Sequence, residues 1–310
     1  MKHGITQLVW TSPGLVGISE QEYRSISLAR KNLFEALFLE EKFDLVTENY
    51  FEYETELLSL STRFMVFGNQ DYERMQSEMN LVNRRIINLL SAGRLYLDQS
   101  VHHLHNIYGD HSAVVVEVER EKSAQYDTHL GYRAMEALRN YVQHRGFPIH
   151  SIIFEAKSVD TETKARNRVL YTLTPFIRAA ELEDDSKFKR AVLKELRTMG
   201  SDVDIKPLVR EYLECLGKVH GKIRELIRRN VSSWEEEISG AIERFKSAFG
   251  TQTSITGLAI VTETEDGVYS ESETIFTEFI ERRRKMESKN RILDSLASRY
   301  VTNEVLENRA

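Results

Sequence analysis

Proline is scarce in this chain, and this property says more about the fold than any other in the sequence. Only four of the 310 residues are proline. Proline breaks helices because it lacks a backbone N–H and its ring clashes with the preceding turn, so long uninterrupted helices are possible here. A composition of 41% hydrophobic and 29% charged residues is typical of a folded protein. The chain is long enough to bury a sizeable core as one or two domains.

Apolar residues at helical spacing predict three helices in the first half of the chain. The first occupies 19–67, with Ser19 as its N-cap and a break allowed near Glu41. The second occupies 71–108 and carries a nearly continuous apolar stripe. The third includes 127–144 and stops before the Gly-Phe-Pro sequence that follows.

The hydrophobic period changes from helical to alternating after this third helix. Residues 152–154 and 169–173 flank a polar turn at 160–167, which predicts a β-hairpin. The later elements are expected to be a helix at 186–199, a long helix at 204–249, a strand at 255–263 and a final helix from 270 to about 300.

These patterns together predict a mostly α fold. It is an antiparallel helical bundle with an inserted β-hairpin and a further short strand. We expect one domain with five parts: N-terminal helices in 1–70, core helices in 71–148, the hairpin insertion in 149–174, a closing long helix in 204–249, and a strand with a C-terminal helix in 250–310.

Charge and motif content exclude several functional classes. A net charge of −6 argues against coating nucleic acid by bulk electrostatics, although a local basic site remains compatible with it. The single cysteine, Cys215, cannot form an intramolecular disulfide or a CxxC zinc site. No glycine-rich phosphate loop is present. With no signal peptide pattern and no apolar run near the roughly 20 residues that span a bilayer, we expect a soluble, cytoplasmic protein without membrane contact.

Four histidines cluster near the end of the second helix: His102, His103, His105 and His111, beside Asp110. His102 and His105 share a helix face, and a loop ligand such as Asp110 or His111 would complete a metal site. The alternative is that these side chains cap and solvate the helix end. The HxxH spacing alone lacks the specificity of a metal motif, so we expect no metal site there.

The third helix carries an arginine and a histidine suited to RNA cleavage. Arg139 is followed by Asn140 and, after three further residues, by His144. Histidine suits the removal and delivery of protons near neutral pH. Arginine suits the phosphate, because its planar guanidinium donates paired hydrogen bonds and stays charged.

Spacing alone leaves alternatives open. On an ideal helix Arg139 and His144 point about 140° apart, so either the helix loosens near His144 or a second protomer completes the site. Arg139 would otherwise form an ion pair with Glu136. Arg145 and His150 have the same spacing, although a glycine and a proline intervene.

The segment Leu138-Arg139-Asn140-Tyr-Val-Gln-His144 resembles the signature of the HEPN superfamily, which comprises helical ribonucleases and RNA-binding relatives. The resemblance covers about 71–148 and extends more loosely to 207–229, which would close a four-helix core. It implies an HEPN-like bundle in which Arg139 and His144 are the catalytic pair. Asn140 would support them, and Glu136 would orient Arg139.

The resemblance also implies the chemistry and the partners. We expect a homodimer that cleaves RNA at a composite interface site without metal or other cofactor, leaving a 2′,3′-cyclic phosphate. Such proteins act in phage defence or as toxins, so a separately encoded antitoxin or trigger protein is a further expected partner. The alternative is a non-catalytic HEPN-like scaffold that binds RNA or protein.

RNA binding requires positive charge near the motif, because phosphate contacts supply much of nucleic-acid affinity. Two candidates flank the motif and three lie on the long helix at 204–249: Arg133, Arg145, Lys222, Arg228 and Arg229. The latter three belong to a basic stretch at 218–229. The alternative is that this stretch is an ordinary solvated helix face.

Overall fold

The computed structural model describes residues 1–9, 12–68, 71–159, 168–291, 295–299 and 301. Contacts divide the chain into two compact units. Unit 1 contains Met1–Asp44, Tyr96–Glu119 and Gly221–Arg291. Unit 2 is built mainly from Leu45–Leu95 and Arg120–His220. The predicted mostly α character is confirmed, and small antiparallel sheets accompany the helices. None of the helices that the structure describes combines the length and apolarity needed to cross a membrane.

The first two helices match their predictions closely. Helix α1 spans Glu20–Phe67 and helix α2 spans Tyr72–Tyr108. Ser19 caps α1: its Oγ accepts the Glu22 N–H at 3.2 Å, while Glu22 Oε2 accepts the Ser19 N–H at 2.8 Å. The break allowed near Glu41 is absent, and α1 runs through that position without interruption.

The predicted third helix is two helices in the structure. Helix α3 spans Ala113–Thr128 and helix α4 spans Leu130–His144, with His129 between them in an extended conformation. The cause is a carboxylate distant in sequence. Glu211 accepts a hydrogen bond from the Gly131 N–H and lies 3.1 Å from His129 Nδ1, so it caps the start of α4. A prediction based on local periodicity has no access to this contact.

The predicted hairpin is confirmed and gains a third strand. Strands β3 (Ser151–Val159) and β4 (Arg168–Arg178) pair antiparallel, and β5 (Asp202–Asp204) pairs with the end of β4. The predicted turn at 160–167 lies outside the described residues. The helix expected at 186–199 is α6, which begins later, at Arg190, and ends at Met199 as expected. A short helix that was not expected, α5, spans Ala179–Glu183.

Helix α7 spans Ile205–Phe249 and confirms the predicted long helix. Beyond it, the expected strand is β6 (Leu258–Glu263), but the expected helix from residue 270 is wrong at its start. Residues Tyr269–Thr274 form strand β7, and helix α8 spans only Glu278–Lys289. The sequence does not reveal β7 because most of its side chains, including both serines, are exposed at a sheet edge, which leaves no apolar alternation to detect. Tyr300, the expected end of that helix, lies outside the described residues.

The expectation that the N-terminal region contains only helices is also wrong. Strands β1 (Lys2–Gln7) and β2 (Val16–Ile18) join β6 and β7 in an antiparallel sheet of order β2-β1-β6-β7. Strand β1 pairs with β6 along its whole length, from Lys2 opposite Glu263 to Gln7 opposite Leu258. The two strands come from opposite ends of the sequence, so local periodicity cannot reveal the pairing.

Candidate functional site

Helix α4 carries the predicted motif, and its buried face fixes its orientation within unit 2. Ala134, Met135 and Leu138 are 0% exposed. Tyr132 packs edge to face against Tyr212 of α7, with ring centroids 5.5 Å apart. Burying a large apolar side chain such as Met135 or Leu138 contributes roughly 1.5–3 kcal/mol. The C-terminal part of α4 therefore presents its polar residues from a firmly packed helix.

The motif residues lie on the solvent side of α4. Asn140 and His144 are exposed, and Arg139 is partly exposed. The Arg139 guanidinium donates a hydrogen bond from Nη1 to Asn140 Oδ1 at 3.1 Å. Asn140 and His144 are one turn apart, only about 40° around the helix axis. Because the Arg139 side chain bends toward Asn140, its guanidinium lies closer to the His144 side of the helix than the 140° between the two Cα positions implies.

Neither Arg139 nor His144 forms an ion pair with a described residue. Arg139 makes no ion pair with a described residue, and its hydrogen bond goes to a neutral amide. The His144 side chain makes neither a hydrogen bond nor an ion pair with any described residue. Both groups are therefore available to a ligand.

Glu136 forms neither a hydrogen bond nor an ion pair with Arg139. It accepts a hydrogen bond from the Tyr212 hydroxyl at 3.1 Å and pairs with Arg94 at 3.4 Å. Burial raises the pKa of Tyr212 well above its usual value, so this hydroxyl stays protonated and donates. Glu136 therefore joins α4 to α2 and α7. The predicted role of orienting Arg139 finds no support in these contacts, because Asn140 is the residue that binds the guanidinium.

The segment after His144 is held in place by side chains from other elements. Helix α4 stays regular through His144, where the Arg145 N–H donates to Tyr141 O at 2.9 Å, so the loosening considered from sequence does not occur. Buried Asn83 of α2 binds both backbone polar groups of Ile149, at 2.9 and 3.2 Å. Two such bonds fix the path of the chain beyond the motif.

The second Arg/His pair, Arg145 and His150, forms hydrogen bonds with other parts of the chain. Arg145 binds Asp185, Nε to Oδ1, at 3.2 Å. His150 Nδ1 accepts the Arg178 N–H at 3.1 Å, which leaves the proton of a neutral ring on Nε2. Burial lowers the pKa of His150. This pair serves the loop between α4 and β3, and it is a weaker candidate than Arg139 and His144.

The side chain of Arg133, expected to bind RNA, forms hydrogen bonds within the protein instead. Its side chain is only 17% exposed and pairs with Glu195 at 2.7 Å. It also donates to the carbonyl oxygens of Tyr126 and Asp127, at 3.0 and 2.7 Å. Arg133 thus satisfies the C-terminal carbonyls of α3, as cationic side chains commonly do.

The basic stretch of α7 is largely neutralised. Arg224 forms a two-pronged ion pair with Glu40, at 2.8 and 2.6 Å, and Lys222 lies 3.3 Å from Glu225 and 3.7 Å from Glu117. Arg228 and Arg229 are exposed and pair with no carboxylate in the described part of the chain. Lys222, Arg228 and Arg229 belong to unit 1, whereas the α4 motif belongs to unit 2.

The histidine cluster is distributed among separate partners. His103 Nδ1 lies 2.7 Å from Glu35 Oε2, and His105 Nδ1 lies 3.0 Å from Asp110 Oδ1. His102 Nε2 lies 3.3 Å from the Asn106 amide nitrogen. Within the described ranges, no group of three or more His, Cys, Asp or Glu residues is arranged to hold a metal ion.

Three residues that position the site are not identified by the sequence patterns: Asn83, Asp185 and Glu211. Asn83 carries a detectable signal, because an amide within the apolar stripe of α2 needs buried partners. Asp185 and Glu211 carry none, since their roles depend on contacts between distant elements. No family model matches this chain, and no curated protein or solved structure matches it either.

Proposed function

We propose that this chain is a metal-independent endoribonuclease of the HEPN type, with its site at the C-terminal end of α4. One observation carries the proposal: Arg139 is bound to Asn140 on the exposed face that also bears His144. Neither the guanidinium nor the imidazole is neutralised by a described carboxylate. The motif therefore offers a phosphate-binding cation and a proton-transfer group on one firmly packed helix.

The proposed reaction is an internal transfer at phosphorus. The 2′-oxygen attacks, the P–O2′ bond forms, the P–O5′ bond breaks, and a 2′,3′-cyclic phosphate remains. One proton leaves the 2′-hydroxyl and one reaches the departing 5′-oxygen, so no proton is consumed overall. Arg139 would bind the phosphate oxygens as charge develops on them, and His144 would act in proton transfer or hold the 2′-hydroxyl.

A second copy of the chain completes this scheme. The reaction needs a proton acceptor and a proton donor, and one copy supplies a single His144 on the motif face. Two motifs facing each other would provide two imidazoles and two guanidinium groups around one phosphate. We therefore propose a homodimer with a composite site. Its cellular setting would be phage defence or a toxin, restrained or triggered by a separately encoded protein.

Cleavage of RNA in excess EDTA tests the proposal. We compare the unmodified chain with Arg139→Ala, His144→Ala and Gln143→Ala, each shown to be folded by circular dichroism. Gln143 is the matched control, because it is exposed on the same turn of α4 and outside the motif. The motif variants should lose at least about 100-fold in rate, in line with a catalytic acid or base. The control should cut normally and yield cyclic phosphate ends. Full activity of His144→Ala would refute the proposal, and binding without cleavage by the unmodified chain would favour the scaffold alternative.

Mixing the unmodified chain with an inactive partner tests the composite site. Unmodified protomers are co-refolded with an excess of the double variant Arg139→Ala/His144→Ala, and the mixed dimers are demonstrated by mass spectrometry. Each mixed dimer holds only one imidazole and one guanidinium of the motif, so we expect cleavage per unmodified protomer to fall at least about tenfold. Unchanged cleavage per unmodified protomer would place the whole site within one protomer and contradict the composite site.

A further inference from the structure

A polar cleft lies in unit 2, between the C-terminal half of α1 and the N-terminal half of α2. Its volume is about 440 Å³, within the range of roughly 300–1,000 Å³ that is typical of small-molecule sites. Its lining is Glu56, Ser59, Leu60, Arg63, Arg74, Ser77, Glu78, Leu81 and Arg84. Only the two leucines in this lining are apolar, so a charged or strongly polar ligand fits the cleft better than an apolar one.

The acidic side chains of the cleft already have cationic partners. Glu56 Oε2 accepts a hydrogen bond from Arg85 Nε at 3.2 Å. Glu78 Oε1 accepts one from Arg74 Nε at 2.9 Å. The negative charge of the lining is therefore compensated by neighbouring guanidinium groups.

Two arginines of the cleft are left with uncompensated charge. Arg63 and Arg84 are exposed, and neither forms an ion pair with a described residue. The Arg63 guanidinium lies 6.0 Å from the Phe67 ring centroid, a contact that leaves its N–H groups available. Ser59 and Ser77 add hydroxyl donors without partners in the described structure. Guanidinium and hydroxyl donors together are the groups that bind phosphate oxygens.

One acceptor in the cleft lacks a donor. The Glu78 side chain is 8% exposed, and its Oε2 has no hydrogen-bond partner among the described residues. A buried carboxylate oxygen without a donor costs free energy, so a ligand that supplies an N–H or O–H here gains affinity. The cleft thus combines donors for an anion with an acceptor for a neutral polar group.

We propose that this cleft binds a nucleoside 5′-phosphate. Arg63 and Arg84 bind the phosphate, and Glu78 Oε2 accepts a hydrogen bond from a sugar hydroxyl or base amine. The group can belong to a free nucleotide or to the 5′ end of an RNA, since both present the same chemistry. The site is separate from the α4 motif and does not depend on RNA cleavage.

Calorimetric titration of the full chain tests this site. The probes are AMP, GMP, adenosine, inorganic phosphate, and one oligoribonucleotide with either a 5′-phosphate or a 5′-hydroxyl. We expect AMP or GMP to bind and adenosine to bind at least tenfold more weakly. If only the 5′-phosphorylated RNA binds, the source is an RNA end. Absence of binding by both nucleotides and by that RNA would overturn the proposal.

Two variants locate the bound group. Arg63→Ala/Arg84→Ala should weaken nucleotide binding at least tenfold, while Lys31→Ala/Lys194→Ala, an exposed cationic pair outside the cleft, should not change it. Unchanged binding by the first variant would overturn the proposal. Glu78→Gln should weaken AMP binding more than inorganic phosphate binding, because only AMP carries the sugar hydroxyls and base amine that are proposed to reach Glu78. An equal loss for both probes would remove Glu78 from the ligand contacts and refute the nucleoside part of the proposal.

Discussion

Arg224 and His220 on α7 are the same residue types as Arg139 and His144 on α4, but the two groups differ in burial and in their partners. On α7, Arg224 is locked to Glu40, Lys222 lies beside two glutamates, and His220 is 1% exposed. On α4, Arg139 binds only a neutral amide, and His144 is exposed without a described partner.

The two arginines differ in whether a carboxylate compensates their charge: Glu40 does so for Arg224, and no described carboxylate does so for Arg139. A guanidinium that faces a buried carboxylate compensates a charge that would destabilise the fold if left unpaired, and it is not available to a substrate. A guanidinium without a carboxylate partner, such as that of Arg139, remains available to a substrate. Four predictions test the contrast between α4 and α7 and the contacts that support it.

The largest effect should follow loss of the Arg224–Glu40 pair. Arg224→Ala leaves Glu40, whose side chain is 4% exposed, without its two-pronged partner. We expect a loss of about 3 kcal/mol in the free energy of unfolding, measured with urea. Arg228→Ala, one turn further along α7, should change it by less than about 0.5 kcal/mol. Equal effects of the two substitutions would contradict the contrast.

A smaller loss should follow Asn83→Ala. This substitution removes both hydrogen bonds to the Ile149 backbone and leaves two buried polar groups unsatisfied. We expect a loss of about 2 kcal/mol in the free energy of unfolding. Hydrogen exchange should also accelerate at the amides of residues 145–147 and 149, just beyond the motif. Unchanged exchange there would show that another interaction holds the end of α4.

The third prediction concerns pH. Burial lowers the pKa of His150 below its ordinary 6.5, so the unfolded chain takes up this proton before the folded one as the pH falls. This group therefore reduces stability progressively below about pH 6.5. His150→Gln can still accept the Arg178 N–H but carries no titrating group. It should lose less stability than the unmodified chain when the pH is lowered from neutral to about 5, and an equal loss would contradict the assignment.

The smallest structural effect should accompany Arg228→Ala/Arg229→Ala. Both side chains are exposed and lack described partners, so the fold should be unaffected. If they bind RNA phosphates, the logarithmic salt dependence of RNA affinity should flatten by about 0.7 for each phosphate that is no longer neutralised, roughly 1.4 for the pair. An unchanged slope would remove these two residues from the proposed RNA contacts.

Features that depend on local pattern could be predicted from the sequence. Helices α1, α2 and α7 follow from long amphipathic periodicity and scarce proline, and the hairpin follows from alternation around a polar turn. Strand β1 has no such signal, since its partner β6 lies at the other end of the chain. The motif at Arg139, Asn140 and His144 is visible in the sequence. The attachment of Glu136 to Arg94 and Tyr212 is not, because three helices must first pack together.

A substrate that lacks the attacking group tests whether the α4 motif cleaves RNA through the 2′-hydroxyl. One oligoribonucleotide is compared with its fully 2′-O-methylated counterpart, in EDTA, with the unmodified chain and His144→Ala. We predict that the unmodified chain cuts only the ribose form, leaves 2′,3′-cyclic phosphate ends, and loses this activity in His144→Ala. Cleavage of the methylated substrate, or cyclic phosphate products from His144→Ala at the unmodified rate, would contradict the proposed mechanism.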